Sequence, residues 1–109
     1  MTSGYALAVR FTLKDSEAAQ RFDDLVAQTV HGIREEPGTL IYTVHEPVDA
    51  PLVRVFYELY ADRTAFLRHE EQAHTKRFLQ AREEFLADTT VTFLNERAEL
   101  SKRPGAGAS

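Results

Sequence analysis

Glu58 is the residue of this chain best placed for proton chemistry. It lies within the run Arg54-Val55-Phe56-Tyr57-Glu58-Leu59-Tyr60, where alternation puts Phe56 and Tyr60 on its own side. Those neighbours point to an enclosed cavity, and an enclosed carboxylate has a raised pKa suited to exchanging protons near neutral pH. Arg54, on the same face, offers another reading, an ion pair that would neutralise the carboxylate. Three histidines stand where they could share the work. His69 follows Phe66 by one helical turn and can point inward with that ring. His45 lies near the end of a strand; if the hairpin pairs residues around Glu46 and Val53, it falls opposite Arg54 on the Glu58 face. His74 sits near a helix break and reads as the more exposed, and His31 reads as surface.

Other chemistries lack their residues. There is no cysteine, so there is no thiol nucleophile, thiolate metal site or disulfide. The serines stand at positions 3, 16, 101 and 109, in the termini or a helix cap, which argues against a serine nucleophile. No glycine-rich phosphate loop, nucleophile elbow or dinucleotide fingerprint is present. His69-Glu70-Glu71-Gln72-Ala73-His74 superficially matches the zinc-protease helix. That motif needs its histidines four apart, and a spacing of five separates them by roughly 140° on a continuous helix. A shared metal would require the helix to break between them.

The elements that must position these residues follow from periodicity. Tyr5, Leu7, Val9, Phe11 and Leu13 alternate, which predicts a strand over 5–13. Asp15 or Ser16 can cap a helix whose stripe is Phe22, Leu25, Val26, Thr29, Val30 and Ile33. Pro37 and Gly38 end it. Strands are predicted over Thr39–Glu46 and Leu52–Ala61, joined by the turn-rich Pro47-Val48-Asp49-Ala50-Pro51. Asp62 can cap a second helical region carrying Phe66, Phe78, Leu79, Phe85 and Leu86, with a break at Gln72-Ala73. A last strand is predicted from Thr90 to about Leu100. The order β-α-β-β-α-β predicts an α+β, ferredoxin-like fold: a four-stranded antiparallel sheet with helices on one face. One domain over 5–100 is expected, between a disordered N-terminus (1–4) and a disordered tail (101–109).

The formal charge of −4, with no clustered basic stripe, argues against a nucleic-acid partner. No apolar stretch approaches the roughly 20 residues of a membrane helix, and no secretory signal is visible. A soluble, cytoplasmic protein is expected. Both hairpin strands carry apolar residues on both faces: Val53, Val55, Tyr57 and Leu59 on one, Phe56 and Tyr60 on the other. Helices cover one face only, so the second predicts a homodimer.

The stretch from Glu36 to Leu79 resembles the antibiotic biosynthesis monooxygenase superfamily, and most closely its small quinol-monooxygenase branch. The resemblance rests on Glu36-Pro37-Gly38-Thr39-Leu40 into Tyr42, on Arg54 to Asp62, on Ala65-Phe66 with His69, and on His74 with Phe78. It implies a dimeric α+β barrel with a pocket in each subunit, and oxygenation of quinols or anthrones by O2 without metal, flavin or other cofactor. It also implies that Glu58 and His69 are the catalytic pair. The pattern departs at Tyr60, where many members carry Trp. There is no Trp, and Asn95 in the last strand is the sole Asn, which argues against the haem-degrading branch.

Three functions remain open from the sequence. The first is a monooxygenase acting on a small aromatic quinol or polyketide. The second is a non-redox isomerase or cyclase using the same proton-transfer pair. The third is a binding dimer without catalysis. Phe56, Tyr60, Phe66 and Phe78, with His45 and His74, are the expected substrate contacts, and so aromatic a lining favours a flat, apolar ligand.

Overall fold

Alternation along the first strand, β1 (Tyr5–Leu13), buries Leu7, Val9, Phe11 and Leu13 on one side. The computed structural model describes residues 2–104. The Asp15 carboxylate accepts from the Ala18 N–H at 2.8 Å and so caps α1 (Ser16–Ile33). Phe22, Val26, Thr29 and Ile33 recur at helical spacing and are buried. The hairpin strands are β2 (Thr39–His45) and β3 (Val53–Tyr60). Asp62 caps α2 (Arg63–Glu71) through the Ala65 N–H at 2.8 Å. Gln72 is extended (φ −68°, ψ 143°) and divides α2 from α3 (Ala73–Ala81), so the expected break is real. A 3-10 turn at Arg82–Glu84 leads into β4 (Leu86–Asn95).

The strands lie in the order β2-β3-β1-β4, all neighbours antiparallel, which is the ferredoxin-like α+β sheet. The last strand differs from its prediction: it begins at Leu86 rather than Thr90 and ends at Asn95 rather than Leu100. Its partner explains the shift. β1 offers a ladder from Tyr5 to Leu13, and β4 pairs along all of it, passing an irregularity at Thr12/Leu13 to reach Leu86. Tertiary pairing thereby draws Phe85 and Leu86 out of the helical region. Past Asn95 no partner strand continues, and Ala98–Leu100 form a 3-10 turn.

The helices cover one face. Leu7 pairs with Glu58, Val9 with Phe56 and Phe11 with Arg54, so these six share that face. Phe22 from α1 is fully buried, with its ring 5.2 Å from that of Phe11 and 5.9 Å from that of Phe56. Truncating such a ring costs about 3–5 kcal/mol. Arg54, the alternative partner for Glu58, is taken by α1: Nε and Nη2 donate to the Asp23 carboxylate at 2.8 and 2.9 Å. The Glu58 carboxylate is left for other partners.

The chain ends meet beside the sheet. The Gly4 N–H donates to Glu96 Oε1 at 2.7 Å, and the Ala98 N–H to Ser3 Oγ at 3.2 Å. Arg103 Nε donates to Glu96 Oε2 at 2.8 Å. A Cβ on Gly4 would lie 2.5 Å from the Tyr60 carbonyl oxygen, so the close approach needs glycine. Of the terminal segments expected to be disordered, Met1 and residues 105–109 lie outside the described residues. No helix among the described residues is long and apolar enough to cross a membrane.

Candidate active site

A cavity of about 120 Å³ lies between the helix-facing side of the sheet and the helices. Its walls are apolar: Leu7, Val9 and Phe11 from β1, Phe56 from β3, Phe66 from α2 and Phe78 from α3. Val91 and Phe93 of β4 also line it and are 43% and 54% exposed, which makes that edge the side open to solvent. Glu58, His69, Tyr42, Glu70, Thr75, Thr29 and Arg82 reach its wall.

Glu58 enters from the middle of the sheet, paired with Leu7 on one side and Tyr42 on the other. A mid-sheet carboxylate under two helices loses most of its water. Burial is the main cause that raises its pKa above the ordinary carboxylate value. The Tyr60 hydroxyl, which donates to Glu58 Oε1 at 2.5 Å, and His69 oppose that rise. Tyr60 is itself fully buried, and its own pKa is raised by burial and by the Glu58 charge. It therefore stays a neutral phenol that serves the carboxylate.

His69 reaches the cavity from α2. Its Nε2 is 4.0 Å from Glu58 Oε1, and its Nδ1 bonds Glu36 Oε1 at 2.7 Å. Nδ1 is thus engaged by Glu36, and Nε2 is the nitrogen turned to Glu58. Glu36 also accepts from the Thr39 hydroxyl at 2.7 Å and bonds His74 Nε2 through Oε2. One carboxylate thus ties the α1–β2 connection to both halves of the broken helix. The break at Gln72 matters here, since a continuous helix would turn His74 away from Glu36. Among the described residues, no group of three or more His, Cys, Asp and Glu is arranged to hold a metal ion.

The expected site residues fall into three groups. Glu58, His69, Phe56, Phe66 and Phe78 line one cavity. Tyr60 and His74 stand behind it, bonded to Glu58 and Glu36; His74 is 17% exposed at its side chain and so is not the surface residue expected. His45 is a correction. It pairs with Val55 rather than Arg54, which turns it to the face away from Glu58, where it is exposed and its Nε2 lies 3.1 Å from the Thr43 hydroxyl. The registration differs by one residue from that expected, and one residue reverses the face.

Sequence reasoning missed Glu36, Tyr42, Thr75 and Arg82 as parts of the site. Glu36 stood in the Glu-Pro-Gly helix stop, where its one local bond, from Thr39, leaves most of the carboxylate for distant partners; that surplus was the available signal. Thr75 and Arg82 carried none, because only the packing of α3 on β1 brings them to the cavity.

Residues 5–81 match the family model described as antibiotic biosynthesis monooxygenase. No curated protein sequence matches the chain. Among solved structures, Rv0793 from Mycobacterium tuberculosis is 26% identical with a TM-score of 0.81, covering 91% of this chain and 100% of its own. PA3566 from Pseudomonas aeruginosa is 23% identical with a TM-score of 0.79, covering 88% and 96%. A structure described as antibiotic biosynthesis monooxygenase is 24% identical with a TM-score of 0.75, covering 83% and 95%. The likenesses below 25% identity speak to the fold alone. The family match spans most of the chain and includes Glu36, Glu58, His69 and His74, and by it this protein belongs to the antibiotic biosynthesis monooxygenase family.

Proposed function

We propose that this protein is a cofactor-independent monooxygenase that oxidises a small aromatic quinol with O2. The observation that carries the reading is the Glu58 carboxyl: it is held in an aromatic cavity, its pKa is raised by burial, and His69 Nε2 stands 4.0 Å away. Such a pair removes a phenolic proton and shields the resulting anion from water. The electron-rich quinolate then passes an electron to O2, and recombination forms a carbon–oxygen bond. Loss of water leaves a hydroxyquinone. One oxygen atom enters the ring and the other leaves as water, with all four electrons supplied by the quinol, so the reaction needs no further reductant. The cavity of about 120 Å³, open along β4, is of the order of the roughly 150 Å³ that accommodates benzene, a single ring.

The same proton-transfer groups would serve an isomerase or cyclase, and the test separates the two. Oxygen consumption by metal- and flavin-free protein is measured against hydroquinones, naphthols and anthrones, beside Glu58→Gln and His69→Ala. Uptake above autoxidation, lost in either variant, supports the oxygenase. Turnover that persists without oxygen assigns the isomerase, and ligand binding indifferent to both variants assigns a binding protein.

The working form is proposed to be a homodimer joined through the helix-free face. Val55, Tyr57 and Ile41 are only half-buried there, and Leu94 is 37% exposed; a second sheet would cover them. A monomeric mass by light scattering at micromolar concentration rules this out.

A further inference from the structure

The Glu36 carboxylate lies between two imidazoles that open on different sides of the molecule. Its Oε1 bonds His69 Nδ1 at 2.7 Å, and its Oε2 bonds His74 Nε2. At the inner end, His69 lines the cavity and turns Nε2 toward Glu58 Oε1 at 4.0 Å. At the outer end, the His74 side chain is 17% exposed and stands outside the cavity wall. Its Nδ1 lies against Gly32 of α1, where a Cβ would collide with it. That nitrogen is not sealed: among the described residues, the sealed and unpartnered side-chain atoms are Thr75 Oγ1 and Arg82 Nε. It therefore meets water beside α1, in space that the glycine leaves.

The line from cavity to water is continuous: imidazole, carboxylate, imidazole. Each ring uses one nitrogen on Glu36 and presents the other outward, one to the cavity and one to solvent. Imidazole nitrogens and carboxylate oxygens all take and give protons. A tie made only to hold the broken helix needs no such groups at every link. The line also leaves by the edge opposite the cavity mouth. That mouth lies along β4, whereas Glu36 leads into β2, at the other end of the strand order. A ligand seated in the cavity closes the mouth, and Phe56, Phe66 and Phe78 carry no proton through the wall. Glu58 gains no exit through its bonded partner, because Tyr60 is fully buried. Tyr42 of β2, Glu70 of α2 and Arg82 after α3 are the other polar and charged groups that face the inner end, and none of them continues the line to Glu36.

We infer that His69, Glu36 and His74 form a proton relay between the cavity and water at α1. The inference rests on the proposed use of the cavity for proton removal and goes beyond it by naming the path. His69 takes a proton at Nε2, from the substrate hydroxyl or from Glu58, and gives one from Nδ1 to Glu36 Oε1. Glu36 gives one from Oε2 to His74 Nε2, and His74 gives one from Nδ1 to water. Each N–H or O–H bond that breaks is matched by one that forms. The quinol reaction releases as many protons as its water takes up, so the relay carries them out and back without net gain.

The test follows the proton held between His69 and Glu36 by NMR of protein carrying isotope-labelled histidine. His74→Gln keeps an amide where Nε2 bonds Glu36 but passes no proton. Exchange of the held proton with water should slow at least about tenfold, the lower reach of a lost proton-transfer group. Loss of a merely structural tie would loosen the bond and leave exchange unchanged or faster, so the sign of the change decides. His74→Phe keeps the ring volume, should slow exchange likewise, and serves if the glutamine variant does not fold. Thr39→Val removes a bond to Glu36, leaves the line whole and should not slow exchange. In turnover of hydroquinone with O2, His74→Gln should lower kcat about tenfold and leave KM within about twofold. Exchange that is unchanged or faster in both His74 variants, or kcat indifferent to His74→Gln, overturns the relay. Slowed exchange in a protein that consumes no oxygen with any quinol sinks the oxygenase reading and leaves the relay standing.

Discussion

Two buried carboxylates in this fold point in opposite directions. Glu96, in the clasp that joins the chain ends, has its pKa pulled down to about 2, chiefly by Arg103, with the Gly4 N–H adding to the effect. Glu58, in the cavity, has its pKa raised, chiefly by burial. Their side chains are similarly shielded, 6% and 9% exposed. The difference lies in depth and in the partners: Glu58 sits deep under the helices and Glu96 near the surface. Glu96 meets a guanidinium through both oxygens and a backbone N–H besides. Glu58 meets one neutral phenol, while the nearest nitrogen of His69 is 4.0 Å away and Arg54 is held by Asp23. A fully paired carboxylate is fixed in its charged form and holds structure together. A desolvated one with a single neutral donor can take up and release a proton.

The sharpest way to break this contrast is Glu58→Gln. Turnover should fall on the order of 100-fold or more, since the proposed general base is lost, while the melting temperature at neutral pH holds or rises. A comparable fall in both would show that Glu58 is structural after all. Gly32→Ala probes the support behind His69. A Cβ at position 32 would collide with the His74 ring, and Glu36 ties that ring to His69. Turnover should drop roughly ten- to a hundredfold, as for a displaced catalytic group. Helix propensity alone would favour the alanine by about 1 kcal/mol, so a more stable protein with unimpaired turnover would remove the Glu36–His74 support from the mechanism.

Glu96→Gln should leave turnover unchanged and cost on the order of 1 kcal/mol of stability, the worth of the bonds it weakens. That is read as a shift in the denaturation midpoint. The smallest effect is in the pH dependence. A carboxyl whose pKa is lowered on folding stabilises above its unfolded value and loses that contribution as pH falls through the folded one. The stability gap between wild type and Glu96→Gln should therefore close between about 4.5 and about 2. For Glu58 the sign reverses. Its raised pKa favours the folded chain while the group is protonated, and this is lost as pH rises. The stability advantage of Glu58→Gln should accordingly grow with pH. Parallel pH dependences for the two variants would erase the comparison.

Local pattern carried the frame of this molecule. The alternation of Tyr5 to Leu13, the Asp15 and Asp62 caps, the break at Gln72-Ala73 and the β-α-β-β-α-β order are all written in neighbouring residues, because period and capping are short-range effects. Glu58 with Phe56 and Tyr60 on one face was legible for the same reason, and His69 from its turn after Phe66. Three things depended on distant residues. The face of His45 rested on strand registration, where a shift of one residue reverses every side chain. The length of β4 rested on the ladder β1 offered. The assembly of Glu36 with His69 and His74, and of Thr75 and Arg82 on one cavity wall, joins residues more than thirty positions apart in the first case and separate local structures in the second. Side-chain type announced what chemistry was available. Which carboxylate would be neutralised by a guanidinium, and which left desolvated beside an imidazole, was decided by long-range packing, because charge pairing and burial belong to the neighbours in space rather than in sequence.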